Sequence, residues 1–323
     1  MSDVRVAITG GAGFLGDVLA RRILDAGSIE VGGSMRRVRE LVLLDVRAAR
    51  DDLLADERVT MLTGDLGSRL ADLGSVDVVF HLAGVVSGAA EADFDLGMRV
   101  NLDALRATLE HLRGLGSAPL VVFTSSLAVF GQDPFGPVLG TVTDDTMPRP
   151  QSSYGVQKLI GEQLVADYTR KGFVDGRTVR LMTVSVRPGA PNAAASSFLS
   201  GIIREPLAGE RAVCPVPADT PVALSSPSRT VDGILRAAAV SPDEWGSRTA
   251  MNLPSLTTTP RQMIDALESA RPGAGALVDW VPDAAVIDIV TTWPSEFDAA
   301  RAEKLGLTAP ATFDDIVTEY LRA

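Results

Sequence analysis

The first sixteen residues constrain this chain most. Val4, Val6, Ala7 and Ile8 form a short apolar run that ends in Thr9-Gly10-Gly11-Ala12-Gly13-Phe14-Leu15-Gly16. Leu15, Leu19, Ile23 and Leu24 then recur at helical spacing. A buried strand, a glycine turn and an amphipathic helix, in that order, predict the opening unit of a parallel α/β sheet. Each glycine has a physical use. Gly10 admits a tight turn, Gly13 lets a pyrophosphate approach the backbone, and Gly16 lets the helix pack close to the strand. The helix N-terminus then faces the phosphates. A nucleotide site is therefore expected here, with Phe14 and Leu15 beside it.

The chain continues in the same rhythm. Residues 27–38, rich in Gly, Ser and Arg, read as a surface loop that lengthens the first crossover. Glu40-Leu41-Val42-Leu43-Leu44-Asp45 reads as a second strand ending in an acid. Asp45 there would accept from the ribose hydroxyls and repel a 2′-phosphate, which favours NAD over NADP. Arg47, two residues on, keeps NADP as an alternative, and a strand-end turn former is the plainer reading of Asp45. Further strands are expected at 59–62, 77–82, 120–126 and 179–186. Asp65-Leu66 after the third strand could meet an adenine, and Ala83-Gly84 after the fourth would lie against the cofactor. His81, inside an apolar run, reads as a core histidine. Met98, Leu102, Leu105, Leu109 and Leu112 make a helical stripe that reads as core or as a dimer seam. Asn101 lies off that stripe and is either solvated or turned toward the active centre.

The predicted fold is α/β: a Rossmann-type doubly wound parallel sheet with a smaller mixed C-terminal substrate lobe. Residues 1–187 form the nucleotide domain, with a return of 222–253, and 188–323 form most of the substrate lobe. A length of 323 residues suits one large α/β domain plus such a lobe. The net charge of −11 argues against nucleic acid or an anionic membrane as main partner. One cysteine, Cys214, and two histidines, His81 and His111, argue against an internal disulfide and a metal site. No run approaches the length of a membrane span, and no apolar leader precedes the glycine turn. A soluble, cytoplasmic protein is expected.

Ser153-Tyr154-Gly155-Val156-Gln157-Lys158 adds chemistry. On a helix, Tyr154 and Lys158 share one face, one turn apart. A nearby ammonium favours phenolate and lowers the phenol's pKa from about 10. By itself the spacing arises readily by chance. It gains weight from the strand 120–126, which ends in Ser125-Ser126 where an open α/β sheet places its ligands. Residues 131–150 read as a long loop over that site. Val156, Ile160 and Leu164 are expected to pack one side of the helix.

Taken together these pieces resemble the extended short-chain dehydrogenase/reductase superfamily, which includes the NAD-dependent epimerases and dehydratases. The resemblance is carried by the glycine turn, Asp65-Leu66, His81-Leu82-Ala83-Gly84, Asn101, Ser125-Ser126-Leu127-Ala128-Val129-Phe130-Gly131, Tyr154 with Lys158, and Arg187-Pro188-Gly189. It spans essentially the whole chain. It implies Ser126, Tyr154 and Lys158 as the catalytic set, with Asn101 supporting Lys158 through water. It also implies that Lys158 hydrogen-bonds the nicotinamide ribose and that the enzyme is a homodimer built on two helices per subunit. Phe130 stands where the superfamily commonly has Tyr. Three further stretches, 85–94, 187–197 and 201–209, are similar to the D-erythronate dehydrogenase subfamily, which oxidises the C2 hydroxyl of a four-carbon sugar acid with NAD.

A sugar acid needs a carboxylate anchor, and Arg is suited to a bidentate grip. Arg204 is the candidate, with Arg229 in reserve; a surface cation at a helix end is the competing reading of Arg204. Asn192, Ser196 and Ser197 would meet substrate hydroxyls, with Ser87 on the opposite loop. The rival within enzymes is a nucleotide-sugar epimerase, which returns the hydride and accumulates no NADH. A dehydratase would want an acid pair where Leu127-Ala128 stand. A non-catalytic NAD-sensing regulator is the reading from another class, and such proteins tend to lose the Tyr or the Lys.

Overall fold

The computed structural model describes residues 1–189 and 194–322. Seven strands occupy the first part: β1 (Asp3–Thr9), β2 (Ser28–Val31), β3 (Ser34–Asp45), β4 (Val59–Thr63), β5 (Val78–His81), β6 (Leu120–Ser126) and β7 (Asp175–Leu181). Side chains alternate along them, as a sheet covered on both faces requires. Val4, Val6, Ile8, Leu41, Leu43, Val78, Phe80 and Val122 enter one hydrophobic cluster; Ala7, Val42, Leu44, Val79, Val121 and Phe123 enter another. The helices Phe14–Ala26 and Pro227–Ala239 close the first cluster. Leu66–Leu73, Ala104–Leu115 and Ser153–Arg170 close the second.

The parallel strands lie in the order β4-β3-β1-β5-β6-β7. The chain thus winds outward on both sides of β1. The two flanking crossovers part at the C-terminal ends of β1 and β5, and a crevice opens there.

Beyond β7 the chain forms β8 (Thr183–Val184), β9 (Ala212–Cys214), β10 (Val222–Ser225), β11 (Met251–Asn252), β12 (Leu256–Thr258) and β13 (Val278–Trp280). β8, β10 and β12 make a small sheet, β9 and β13 a pair, and β11 returns to the large sheet beside β7. A separate core holds this lobe together: Leu199, Ile202, Ile203, Leu224, Met263, Leu267, Phe313 and Ile316 are its central members. The helix Pro227–Ala239 returns to the large sheet, where fully buried Arg177 donates to the carbonyls of Ala237 (2.6 Å) and Val240 (2.5 Å). A cation at the last carbonyls suits the helix dipole. Among the described residues no helix is long and apolar enough to cross a membrane.

Several expectations change. Residues 27–38 are not a loop: β2 and the start of β3 form an antiparallel hairpin. Gly32 and Gly33 take φ of +57° and +81°, the two positive values a tight two-residue hairpin turn needs. The strand expected over 179–186 is split, because Met182 leaves the large sheet and Thr183-Val184 pairs with Leu224-Ser225 in the small one. In the stripe, Leu105, Leu109 and Leu112 are fully buried core.

The largest reversal is in the helix Ser153–Arg170. Val156 and Ile160 are 42% and 39% exposed, whereas Gln157, Lys158 and Glu162 are buried. Residues two places either side of Lys158 lie on the opposite helix face. Turning Lys158 and Glu162 inward therefore turns Val156 and Ile160 outward.

Candidate active site

A cleft of about 380 Å³ follows the C-terminal ends of the central strands. Gly10, Gly13, Phe14, Leu15 and Gly16 line one end. Ser126, Tyr154, Lys158, Ser87, Ser196, Thr183, Arg187 and Trp293 line the other.

The glycine turn is built to be narrow. Gly10 has φ +72°, and a Cβ at Gly16 would stand 2.2 Å from the Gly10 carbonyl oxygen. The amides of Gly10 and Gly11 both donate to Leu44 O (2.8 and 3.2 Å). Asp45 adds a brace: its carboxylate accepts from Ala12 N and from Arg47 N, each at 3.1 Å. The acid at the end of β3 therefore ties that strand to the turn. A dinucleotide fits this arrangement. The turn presents backbone rather than side chains, and one cleft joins it to Tyr154 and Lys158. Leu82 and Gly84 line that cleft, with Ala83 packed against Gly10. Asp65 and Leu66 lie outside the lining: Asp65 is exposed at the start of the helix Leu66–Leu73, and Leu66 is in the core.

At the other end, Ser126 stands beside the Tyr154 phenol. Burial pushes the Tyr154 pKa up; the neighbouring Ser126 hydroxyl and the charge of Arg187 pull it back. The sequence pointed to Lys158 for that part. Its ammonium instead lies 5.7 Å from the Tyr154 ring centre and donates to Thr124 O at 2.9 Å. Burial lowers the Lys158 pKa to about 8, and the charge of Glu162 opposes that fall.

Glu162, one turn beyond Lys158, anchors a buried network. Arg180 grips both its carboxylate oxygens (2.9 and 2.8 Å) and Ser125 donates to one of them (2.6 Å). Both serines line the cleft, but the Ser125 hydroxyl is taken up by Glu162. Asn101 is 1% exposed. Its amide brackets Val85, accepting from the backbone N (2.9 Å) and donating to the backbone O (3.2 Å), and also donates to Gln157 Oε1 (2.8 Å). Asn101 and Lys158 approach the same point: a methyl on Gly84 would lie 2.9 Å from Asn101 Oδ1 and 3.6 Å from Lys158 Nζ. His81 is core, as expected. It is fully buried against Thr9 Oγ1 (3.2 Å), and burial together with the Lys158 charge lowers its pKa to about 3.

The substrate candidates separate. Ser87 and Ser196 line the cleft, and Ser87 Oγ accepts from Ala195 N at 3.4 Å. Asn192 lies outside the described residues. Arg204 is off the cleft: it donates to Arg187 O (2.8 Å) and pairs with Glu205 (2.5 Å). Arg229 stands with Asp232 on the helix Pro227–Ala239. Two arginines line the cleft, Arg47 and Arg187, and it is Arg187 whose charge acts on the Tyr154 phenol. Its sequence signal was the Arg-Pro-Gly that ends the strand region. Trp293 and Thr183 had no local signal. Among the described residues no group of three or more His, Cys, Asp or Glu side chains could hold a metal ion.

Residues 6–221 match the NAD dependent epimerase/dehydratase family. The D-erythronate dehydrogenase of Cupriavidus necator is 51% identical over 98% of this chain and 98% of its own length. That of Haemophilus influenzae is 37% identical over 98% of this chain and 99% of its own. The crystal structure of a nucleoside-diphosphate-sugar epimerase from Agrobacterium tumefaciens superposes with a TM-score of 0.90 at 37% identity, covering 100% of this chain and 94% of that one.

Proposed function

This chain belongs to the NAD dependent epimerase/dehydratase family, and from that premise we propose that it oxidises the C2 hydroxyl of D-erythronate to the 2-oxo acid. It is an NAD-dependent oxidoreductase. The observation that carries the substrate reading is the Ser126–Tyr154 pair with a cationic Arg187 at the far end of the glycine-turn cleft. Full-length similarity to two D-erythronate dehydrogenases supports it.

Tyr154 takes the proton of the C2 hydroxyl. Ser126 holds that oxygen as hydroxyl and then as ketone. Bound NAD supplies the acceptor for the hydride that leaves C2, so the acid becomes a 2-oxo acid and NAD⁺ becomes NADH. Lys158, kept charged by Glu162, holds the nicotinamide ribose, and the Arg187 charge favours the phenolate. Asn101 positions Lys158 and the Val85 backbone. Gly10, Gly13, Phe14, Leu15 and Gly16 receive the pyrophosphate and Asp45 the adenosine ribose, with Ala83 alongside and Asp65-Leu66 toward the adenine. Ser87 and Ser196 meet substrate hydroxyls. In this reading residues 1–187, with the returning 222–253, hold the cofactor and 188–323 the acid.

The similarity to a protein named as a nucleotide-sugar epimerase supplies the second reading. NADH formation separates the two. With NAD and a panel of aldonates, D-erythronate is expected to give stoichiometric NADH, and UDP-sugars none. Epimerised UDP-sugar with no NADH from any aldonate would overturn the dehydrogenase reading. The same reading puts activity in the soluble cytoplasmic fraction of lysed cells.

A homodimer is part of the proposal. Phe94, Val156 and Ile160 are exposed apolar side chains on neighbouring helices, 59%, 42% and 39% accessible. Exposed apolar patches of this kind mark interaction surfaces. Sedimentation should give a dimer, and Val156→Glu with Ile160→Glu a monomer. A monomeric wild type would sink the seam.

A further inference from the structure

Arg187 sits where the chain passes from the small sheet toward the cleft, and its backbone is held on both sides. Its N–H donates to Ser200 Oγ (3.0 Å) and its carbonyl accepts from Arg204 Nη1 (2.8 Å). The side chain lines the same cavity as Tyr154, Ser126 and Ser87. Arg5, Arg177, Arg180 and Arg204 each pair with a carboxylate. Among the described residues no carboxylate pairs with Arg187. Its charged neighbours work in opposite directions: Arg204 repels the guanidinium, and Tyr154 favours its charge as the phenol ionises. A half-buried cation without a counter-ion is costly, and an anion delivered to the cavity would offset that cost.

We propose that Arg187 binds the carboxylate of the substrate and so selects the hydroxyl on the adjacent carbon for oxidation. This rests on the oxidoreductase reading above and extends it to the recognition group. The guanidinium fork matches a carboxylate in two parallel hydrogen bonds, and an amide offers no such pair of charged acceptors. The glycine turn, which receives the cofactor's phosphates, lines the opposite end of the cleft, so Arg187 is left for a second anion. Arg187 and the Tyr154–Ser126 pair border one small cavity. An acid gripped by Arg187 therefore offers Tyr154 its nearest hydroxyl, the one α to the carboxylate. Arg204 acts through Arg187: it holds the backbone that aims the guanidinium.

The test compares wild type, Arg187→Met and Arg187→Lys with D-erythronate and with D-erythronamide, its neutral analogue. Binding of D-erythronate to the NADH complex, where no turnover occurs, is measured by calorimetry beside the steady-state kinetics. Arg187→Met is expected to weaken acid binding and raise the acid's KM on the order of 100-fold, the effect of removing one partner of a buried charge pair. The NAD dissociation constant should stay within about threefold, which also shows that the variant is folded. The wild-type preference for acid over amide should disappear in Arg187→Met and partly return in Arg187→Lys. Acid binding that Arg187→Met leaves within threefold overturns the anchor, and so does a parallel loss of NAD affinity. Wild-type enzyme that forms no NADH with any aldonate overturns the parent reading, whatever the variants do.

Discussion

Tyr154→Phe should lower turnover with D-erythronate by about 10²–10⁴-fold, the range removed with a positioned general base. The NAD dissociation constant should not change. Phe keeps the ring that packs near Lys158 Nζ, 5.7 Å from the ring centre, and removes only the hydroxyl. That hydroxyl stands beside Ser126 and feels the Arg187 charge. Stopped-flow NADH formation and fluorescence titration of NAD measure the two quantities separately. Turnover within a few-fold of wild type would remove Tyr154 from the proton transfer. Burial raises the phenol's pKa, so the free enzyme holds it protonated at neutral pH. Activity should accordingly climb with pH as the phenol ionises.

Glu162→Ala should be the most destabilising change near the site, by about 3–5 kcal/mol, because it leaves Arg180 buried without its partner. Glu162 is 3% exposed and Arg180 4%, and their two hydrogen bonds are 2.9 and 2.8 Å long. Ser125 also loses its acceptor. Denaturant melts measure the loss, and replacing both residues with Met should recover much of it. A Glu162→Ala protein as stable as wild type would show that the network contributes little. A second effect follows through Lys158. Its pKa is about 8 and the Glu162 charge holds it up, so the variant's amine deprotonates at lower pH. The pH at which the climb in activity levels off, which reports loss of the ammonium, should move to lower pH. The stability sign is separate. Lys158 binds its proton less tightly folded than its ordinary 10.5, so its burial costs stability below pH 8. That cost is relieved as pH rises from 8 toward 10.5.

Much of the fold was legible because its signals are local. The opening run, the glycine turn and the stripe of the next helix lie within about one βα unit, and the strand ends carried Asp45 and Ser126. The errors share a cause. Gly32-Gly33 reads as loop by composition, yet its two positive φ values close a hairpin. Val156 and Ile160 have core chemistry but face outward, because Glu162 must meet Arg180, eighteen residues away, and the helix turns as one body. Met182 lies in an apolar run that reads as one strand, and only the pairing of Thr183-Val184 with Leu224-Ser225 shows the change of sheet.

The sequence alone therefore determined the nucleotide unit and the family resemblance, and it singled out Ser126, Tyr154 and Lys158 as candidates, since each depends on residue type at short spacing. The tertiary structure decided which charges stand beside that set. Arg187 and Arg204 are equivalent in a sequence. One has its guanidinium engaged by the carboxylate of the next residue, and the other lines the cleft beside the phenol. Coulomb energy depends on distance through space and on the local dielectric, and neither quantity is written in the order of residues along the chain.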